Sequence, residues 1–138
     1  MHWDQVPGDG YYDLERVRLH GEALHQAYEL LYPRDCWTLS SEVLRVCGAR
    51  GLAALWIDAG QWMGSRPRFT PQGCHLRDHD FITLAEYLQE LGLGADLKTN
   101  KSGVQSLTLR YSAIDSFLAI LKPVTHGSMR HKLEQPNR

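Results

Sequence analysis

The chain has 138 residues, 43% of them apolar, which suffices for one compact domain around a single core. Its 15 Lys and Arg against 16 Asp and Glu leave a formal net charge of -1, which excludes a globally basic nucleic-acid or membrane-surface binder, so any polyanion-binding surface must be local. The three cysteines Cys36, Cys47 and Cys74 form no C-x-x-C pair, no apolar run reaches the roughly eighteen residues of a membrane span, and the acidic N-terminus is no targeting segment, so a soluble cytoplasmic protein (organellar if eukaryotic) with no membrane partner is expected.

VPGDGYYD, residues 6–13, is punctuated by Pro and Gly and reads as a loop. Glu15–His20 alternates charged and apolar residues and predicts a short strand. Glu22–Tyr32 repeats apolar positions at Ala23, Ala27, Leu30 and Leu31 and predicts a helix that Pro33 ends. After PRDCW, Ser40 or Ser41 caps a short helix; Gly48 interrupts it before a nearly all-apolar helix to Ala59. Gln61–Asp78 reads as two strands joined by a turn at SRPRF, residues 65–69.

Thr83-Leu84-Ala85-Glu86 fits a capping box, with Leu84, Tyr87, Leu88 and Leu91 as the apolar face of the helix it starts, and Gly92 and Gly94 stop that helix. Ala95–Asn100 and Ser106–Tyr111 predict two strands around a Lys101-Ser102-Gly103 turn, and Ser112–Leu121 predicts a last helix before Pro123. From residue 48 the order is helix, strand, strand, helix, strand, strand, helix. Antiparallel hairpins with helices on one face make an α+β sandwich, whose other sheet face is free to bind something.

Three blocks in register carry a family resemblance. LAALWIDAG (Leu52–Gly60) resembles the signature helix of the LAGLIDADG homing endonucleases, in the branch where it reads roughly L-A-x-W-F-M-D-D-G. Asp80–Glu86 (DFITLAE) resembles the S-F-T-x-E-E start of that family's second helix, and Phe117–Leu133 resembles its closing F-x-x-L-I-K-P-Y-x-x-P-S-M-x-Y-K-L. Upstream, RVRLHGEALHQAYELLYP (residues 16–33) resembles the end of a preceding repeat in two-motif members. The resemblance therefore implies residues 1–47 as the tail of one repeat and 48–138 as a complete second repeat with a basic C-terminal segment. The fold it implies is α-β-β-α-β-β-α with an antiparallel DNA-binding sheet.

The resemblance also implies a mechanism. Two signature helices, from two repeats or from a homodimer, pack through small residues, here Ala53 and Ala54, and each ends in a carboxylate. These hold divalent ions, usually Mg2+, that activate water for phosphodiester hydrolysis of double-stranded DNA. The family ligand is the residue before the motif glycine, and here that residue is Ala59. Asp58 stands one position early, about 100° away around the helix; it is either a substitute metal ligand or a helix-end carboxylate with structural bonds. Lys132 matches the closing lysine that acts near the active site, and His79 matches a polar residue near the metal-bound waters. By residue type alone, the first is equally a solvated lysine and the second a loop histidine.

The expected DNA-contacting set is Trp62, Arg68, Thr70, Gln72, His75 and Arg77 on the first hairpin, and Lys98, Asn100, Lys101, Thr108 and Arg110 on the second. Arg and Lys read guanine edges or grip phosphate, and Asn or Gln read adenine. Lys122, Arg130, Lys132 and Arg138 against Glu134 make the C-terminal segment locally basic. Cys74, His75, Asp78, His79 and Asp80 are dense but lack a second ligand pair at zinc spacing. With Ala59 in place, two other readings stand beside DNA cleavage: a nuclease-dead, maturase-like chain that binds intron RNA, and a dimerisation module.

Overall fold

The computed structural model describes residues 2–6, 14–18, 21–32, 38–71 and 76–135. It divides into two compact units, Met1–Thr38 and Leu39–Arg138. Gly48, where the resemblance begins the complete repeat, lies at a kink inside a helix of the second unit. The predicted loop over 7–13 and the candidates Gln72, His75 and Arg138 lie outside the described residues.

In the first unit, β1 (His2–Val6) pairs antiparallel with β2 (Leu14–Arg18), and α1 (Glu22–Leu31) follows. The helix matches its apolar repeat. β1 was not anticipated, because its sequence HWDQV carries no sustained apolar alternation.

The second unit runs α2 (Ser41–Ala59), β3 (Gly60–Met63), β4 (Arg66–Phe69), α3 (Asp78–Glu90), β5 (Ala95–Thr99), β6 (Gln105–Leu109) and α4 (Ile114–Leu121). This is the expected α-β-β-α-β-β-α order. Ser40 caps α2, its hydroxyl accepting the Val43 N–H at 3.1 Å. Gly48 then breaks the helical path with φ 55 and ψ -142, a conformation that favours glycine. The strands form one antiparallel sheet in the order β3-β4-β6-β5.

Two local expectations are corrected. SRPRF is not a turn: the chain reverses at Gly64-Ser65, with Gly64 at φ 59, and Arg66–Phe69 is β4. Extending the β4–β6 register by one residue puts Pro67, which has no N–H, opposite Leu109. The side chain of Arg66 fills that gap, Nε donating to the Leu109 carbonyl at 2.8 Å. Nor does α3 start at Thr83. It starts at Asp78, because the buried carboxylate of Asp80 accepts the Arg77 N–H at 2.7 Å and the Leu39 N–H at 3.3 Å. Thr83 is interior, its hydroxyl donating to the His79 carbonyl.

The helices cover one sheet face. Trp56 of α2, Phe69 of β4 and Phe117 of α4 meet edge to face with ring centroids 5.3–6.2 Å apart, and all three are buried. Leu107 and Leu109 of β6 and Leu84 and Leu88 of α3 complete this core. Strand register settles which residues face the other way. Gln61 pairs with Arg68, Arg68 with Thr108 and Thr108 with Asp96, so these share the open face, and Phe69, Leu107 and Leu97 share the helix face. Strands β5 and β6 end at Thr99 and Leu109, one and two residues short of expectation.

Candidate nucleic-acid interface

Two groups of candidate residues of the second unit lie at the C-terminal end of α2 and on the open sheet face, and the others stand apart from both. At the end of any helix the last carbonyls lack intrahelical donors. Here Gly60 N–H reaches Trp56 O, and the ammonium of Lys132 reaches Ile57 O at 2.6 Å, a cation on the negative end of the helix dipole. The carbonyl of Lys132 in turn accepts both indole N–H groups, Trp56 and Trp62, each at 3.1 Å. Lys132 thus stitches the C-terminal 3-10 helix (Gly127–Leu133) to α2.

Asp58 is exposed on the last turn and has no hydrogen bond among the described residues. Ala59, the next residue, is 3% exposed, and its carbonyl accepts the Thr70 N–H at 3.0 Å. Position 59 is therefore packed where position 58 is open, as a turn of about 100° requires. Gly60 must be glycine by close approach, since the ring and carbonyl of Trp56 occupy the space a Cβ would take. Ala53 is buried in its own unit, so of the two alanines expected to meet a second signature helix only Ala54 faces outward, in line with Arg50 and Asp58.

His79 lies exposed in the first turn of α3 with Nε2 3.0 Å from the Asp80 carboxylate, an ion pair when the ring is protonated. Among the described residues no hydrogen bond or ion pair joins His79 to Asp58 or Lys132. Magnesium takes several oxygen ligands at short, near-octahedral geometry. Among the described residues no three His, Cys, Asp or Glu side chains converge on a common point, and the end of α2 offers one carboxylate beside a methyl. The described residues by themselves do not form a complete magnesium site.

The open sheet face is richer. Arg66, Arg68 and Lys98 stand on its strands and Arg110 directly follows β6, four cations around the single carboxylate of Asp96. Asp96 accepts Arg110 Nε at 2.9 Å on one oxygen and Arg66 Nη2 at 3.3 Å on the other. The Arg110 guanidinium, with Arg66 beside it, holds the Asp96 carboxyl below the usual carboxylate range. Arg66 also lies over the Tyr111 ring, 5.2 Å from its centroid. Arg68 reaches Ser106 Oγ at 2.7 Å and Met63 Sδ at 3.0 Å. A depression of about 240 Å³ lies between Met63, Arg66, Arg68, Lys98, Thr108 and Tyr111.

Of the expected DNA-contacting residues, this face gathers Arg68, Lys98 and Arg110, with Thr108 buried beneath them. Trp62 is a correction: it pairs with Pro67 on the helix face, and its N–H is occupied by Lys132, because one step along a strand reverses the side. Asn100 and the exposed Lys101 sit in the β5–β6 turn, where Asn100 Oδ1 accepts Ser102 N–H, Ser102 Oγ–H and Val104 N–H and so holds the turn itself. Thr70 is buried, and Arg77 is exposed at the N-cap of α3. Lys122 is exposed after α4, and Arg130 is exposed in the C-terminal 3-10 helix. Sequence reasoning missed Gln61, Arg66 and Ser106. A two-residue turn at Gly64-Ser65 would have paired Gln61 with Arg68 and moved Arg66 out of the turn.

With four antiparallel strands under helices in this order, the chain has a homing-endonuclease-like α+β fold. It is similar to the solved structure of the homing endonuclease I-WcaI bound to its DNA recognition sequence, with a TM-score of 0.67 over 96% of this chain and 15% sequence identity. This chain spans 63% of that chain, less than two thirds of its length. No protein-family profile matches the chain, and no curated protein matches it. Among the described residues no helix is long and apolar enough to cross a membrane.

Proposed function

We propose that the chain binds double-stranded DNA in a sequence-dependent way through its open sheet face, as the DNA-bound homing endonuclease of similar fold suggests. The observation that carries this reading is the sheet face itself. Arg66, Arg68, Lys98 and Arg110 cluster on one side of an antiparallel sheet in a chain whose overall charge is near neutral. A two-stranded ribbon of such a sheet fits a major groove, where Arg and Lys meet guanine and phosphate. Residues 48–138 form the complete repeat in this reading, and 1–47 the tail of a preceding one, with a second copy or a partner chain supplying the other repeat.

Metal-dependent phosphodiester hydrolysis is the ancestral activity in this proposal, and this chain by itself does not perform it. Ala59 stands where the metal-binding carboxylate belongs, and Asp58 points elsewhere. A bound magnesium ion would supply charge neutralisation and an activated water. Lys132 is held to the helix end by Ile57 O and contributes a positive charge there.

Binding to a pool of randomised duplexes, with unlabelled competitor DNA in excess, tests the first part; enrichment of a defined motif is expected. Failure to enrich any motif overturns the DNA reading, and retention of intron RNA in its place favours the maturase-like alternative. Cleavage in magnesium tests the second part. The wild-type chain leaves the enriched duplex intact, whereas a wild-type chain that cuts it shows that position 59 is not the missing ligand.

A further inference from the structure

The four cations of the sheet face are not equivalent. Arg68 has both terminal nitrogens engaged by Ser106 and Met63. Arg66 is held at Nε by Leu109 O and at Nη2 by Asp96, with its Cζ over the Tyr111 ring and its side chain 22% exposed. Lys98 is exposed and has no hydrogen bond or ion pair among the described residues, a mobile point charge suited to phosphate.

Arg110 differs from all three. It is gripped only at Nε, by Asp96 at 2.9 Å, and its side chain is 61% exposed. Its stem lies against Gly94, where a Cβ would come within 3.2 Å of Cδ, and its backbone N–H donates to Gly94 O at 2.8 Å. The guanidinium is therefore fixed in plane and direction, while Nη1 and Nη2 have no partner among the described residues. That end of the group is a planar fork of parallel N–H donors, the shape that matches two acceptors on one guanine edge, O6 and N7.

Resting on the DNA-binding reading above, we infer that Arg110 is the guanine-reading residue of the sheet face and that Asp96 is its positioning residue. Asp96 never touches the base. It holds Arg110 by one oxygen and Arg66 by the other, so the fork is already oriented before DNA arrives and little side-chain freedom is lost on binding. Lys98 supplies sequence-independent grip, and Arg68 and Arg66 supply fixed positive potential.

The test is selection from randomised duplexes with the full chain, its Asp96→Asn and Arg110→Lys variants, and Lys98→Ala as a comparison. The wild type is expected to enrich a motif with an invariant guanine. Asp96→Asn and Arg110→Lys each lose discrimination at that one position, by roughly 5- to 100-fold, and keep the rest of the motif. Lys98→Ala weakens binding to all duplexes alike and lowers the salt dependence by about one counterion. Melting followed by circular dichroism confirms that each variant is folded.

If Asp96→Asn retains the guanine preference, or weakens every position of the motif together, the positioning role is overturned while DNA binding stands. A motif without a guanine that responds to Arg110→Lys overturns the inference in the same way. If the wild type enriches no motif, the DNA-binding reading falls, and this inference with it.

Discussion

The end of α2 and the open sheet face lie in the same unit and use their polar groups in opposite ways. At the helix end the indoles of Trp56 and Trp62, the ammonium and carbonyl of Lys132 and the carbonyls of Ile57 and Ala59 all find partners within the chain, while the exposed Asp58 carboxylate has none among the described residues. On the sheet face Lys98 and the outer nitrogens of Arg110 are left to solvent, and the internal bonds that exist orient side chains outward. A region whose donors and acceptors are mutually satisfied is built for stability, and one with aligned but unmatched donors is built for a ligand. The contrast supports packing for the segment that resembles the signature helix and agrees with the DNA contacts proposed for the strands of the open face.

The largest effect that would sharpen this contrast is at Trp56. Trp56→Ala removes a side chain that is 1% exposed, three edge-to-face ring contacts and one donor to Lys132 O. A loss of roughly 3–5 kcal/mol in denaturant-induced unfolding is expected. A loss under about 1 kcal/mol would show that this helix end is not the packed centre of the unit. Gly60→Ala comes next, because its methyl would overlap the Trp56 ring. Overpacking of this kind costs roughly 1–3 kcal/mol and shifts the denaturation midpoint without abolishing DNA binding.

Lys132→Met tests the boundary between the two regions. It keeps the stem and removes the cation from Ile57 O, so a loss of about 1 kcal/mol in stability is expected. Affinity of the folded variant for an enriched duplex should equal that of the wild type. A Lys132→Met chain with unchanged stability and weakened DNA binding would break the comparison, moving this lysine from the packed region to the proposed DNA-binding surface.

Architecture was largely legible because it follows from periodicity and punctuation. Gly48, Gly92 and the Lys101-Ser102-Gly103 turn all act where their chemistry says, and the helix-strand order came out as expected. The α3 start was misread because Thr83 and Glu86 offer one local capping box, while the one that forms joins Asp80 to the Arg77 N–H and is buried against Leu39, 41 residues away in sequence. Trp62 was misplaced because a strand reverses side at every residue, so reading Gly64-Ser65 as part of a longer turn shifts the whole set. The role of Asp96 had no local signal at all. Its partners Arg66 and Arg110 lie 30 and 14 residues off, joined to it only by the fold.

The smallest expected effect separates the two regions by pH. Asp96 is depressed by its bond to Arg110 and Glu90 by its bond to Arg45, and both carboxylates are substantially solvent-exposed. A carboxyl whose folded value is lowered contributes stability above its unfolded value, near pH 4, and that contribution fades as pH falls through the lower folded value. Thermal stability of the wild type and of Asp96→Asn should therefore run parallel from about pH 8 to pH 5 and converge only below about pH 4, by a small amount because surface pairs are weak. The helix-end bonds among the described residues run from the indoles to the Lys132 carbonyl and from Lys132 Nζ to the Ile57 carbonyl and use no carboxylate, so the indole N–H resonances of Trp56 and Trp62 should hold their positions through the same range. Movement of those resonances together with the Asp96 titration would mean that the packed helix end and the open sheet face respond as one.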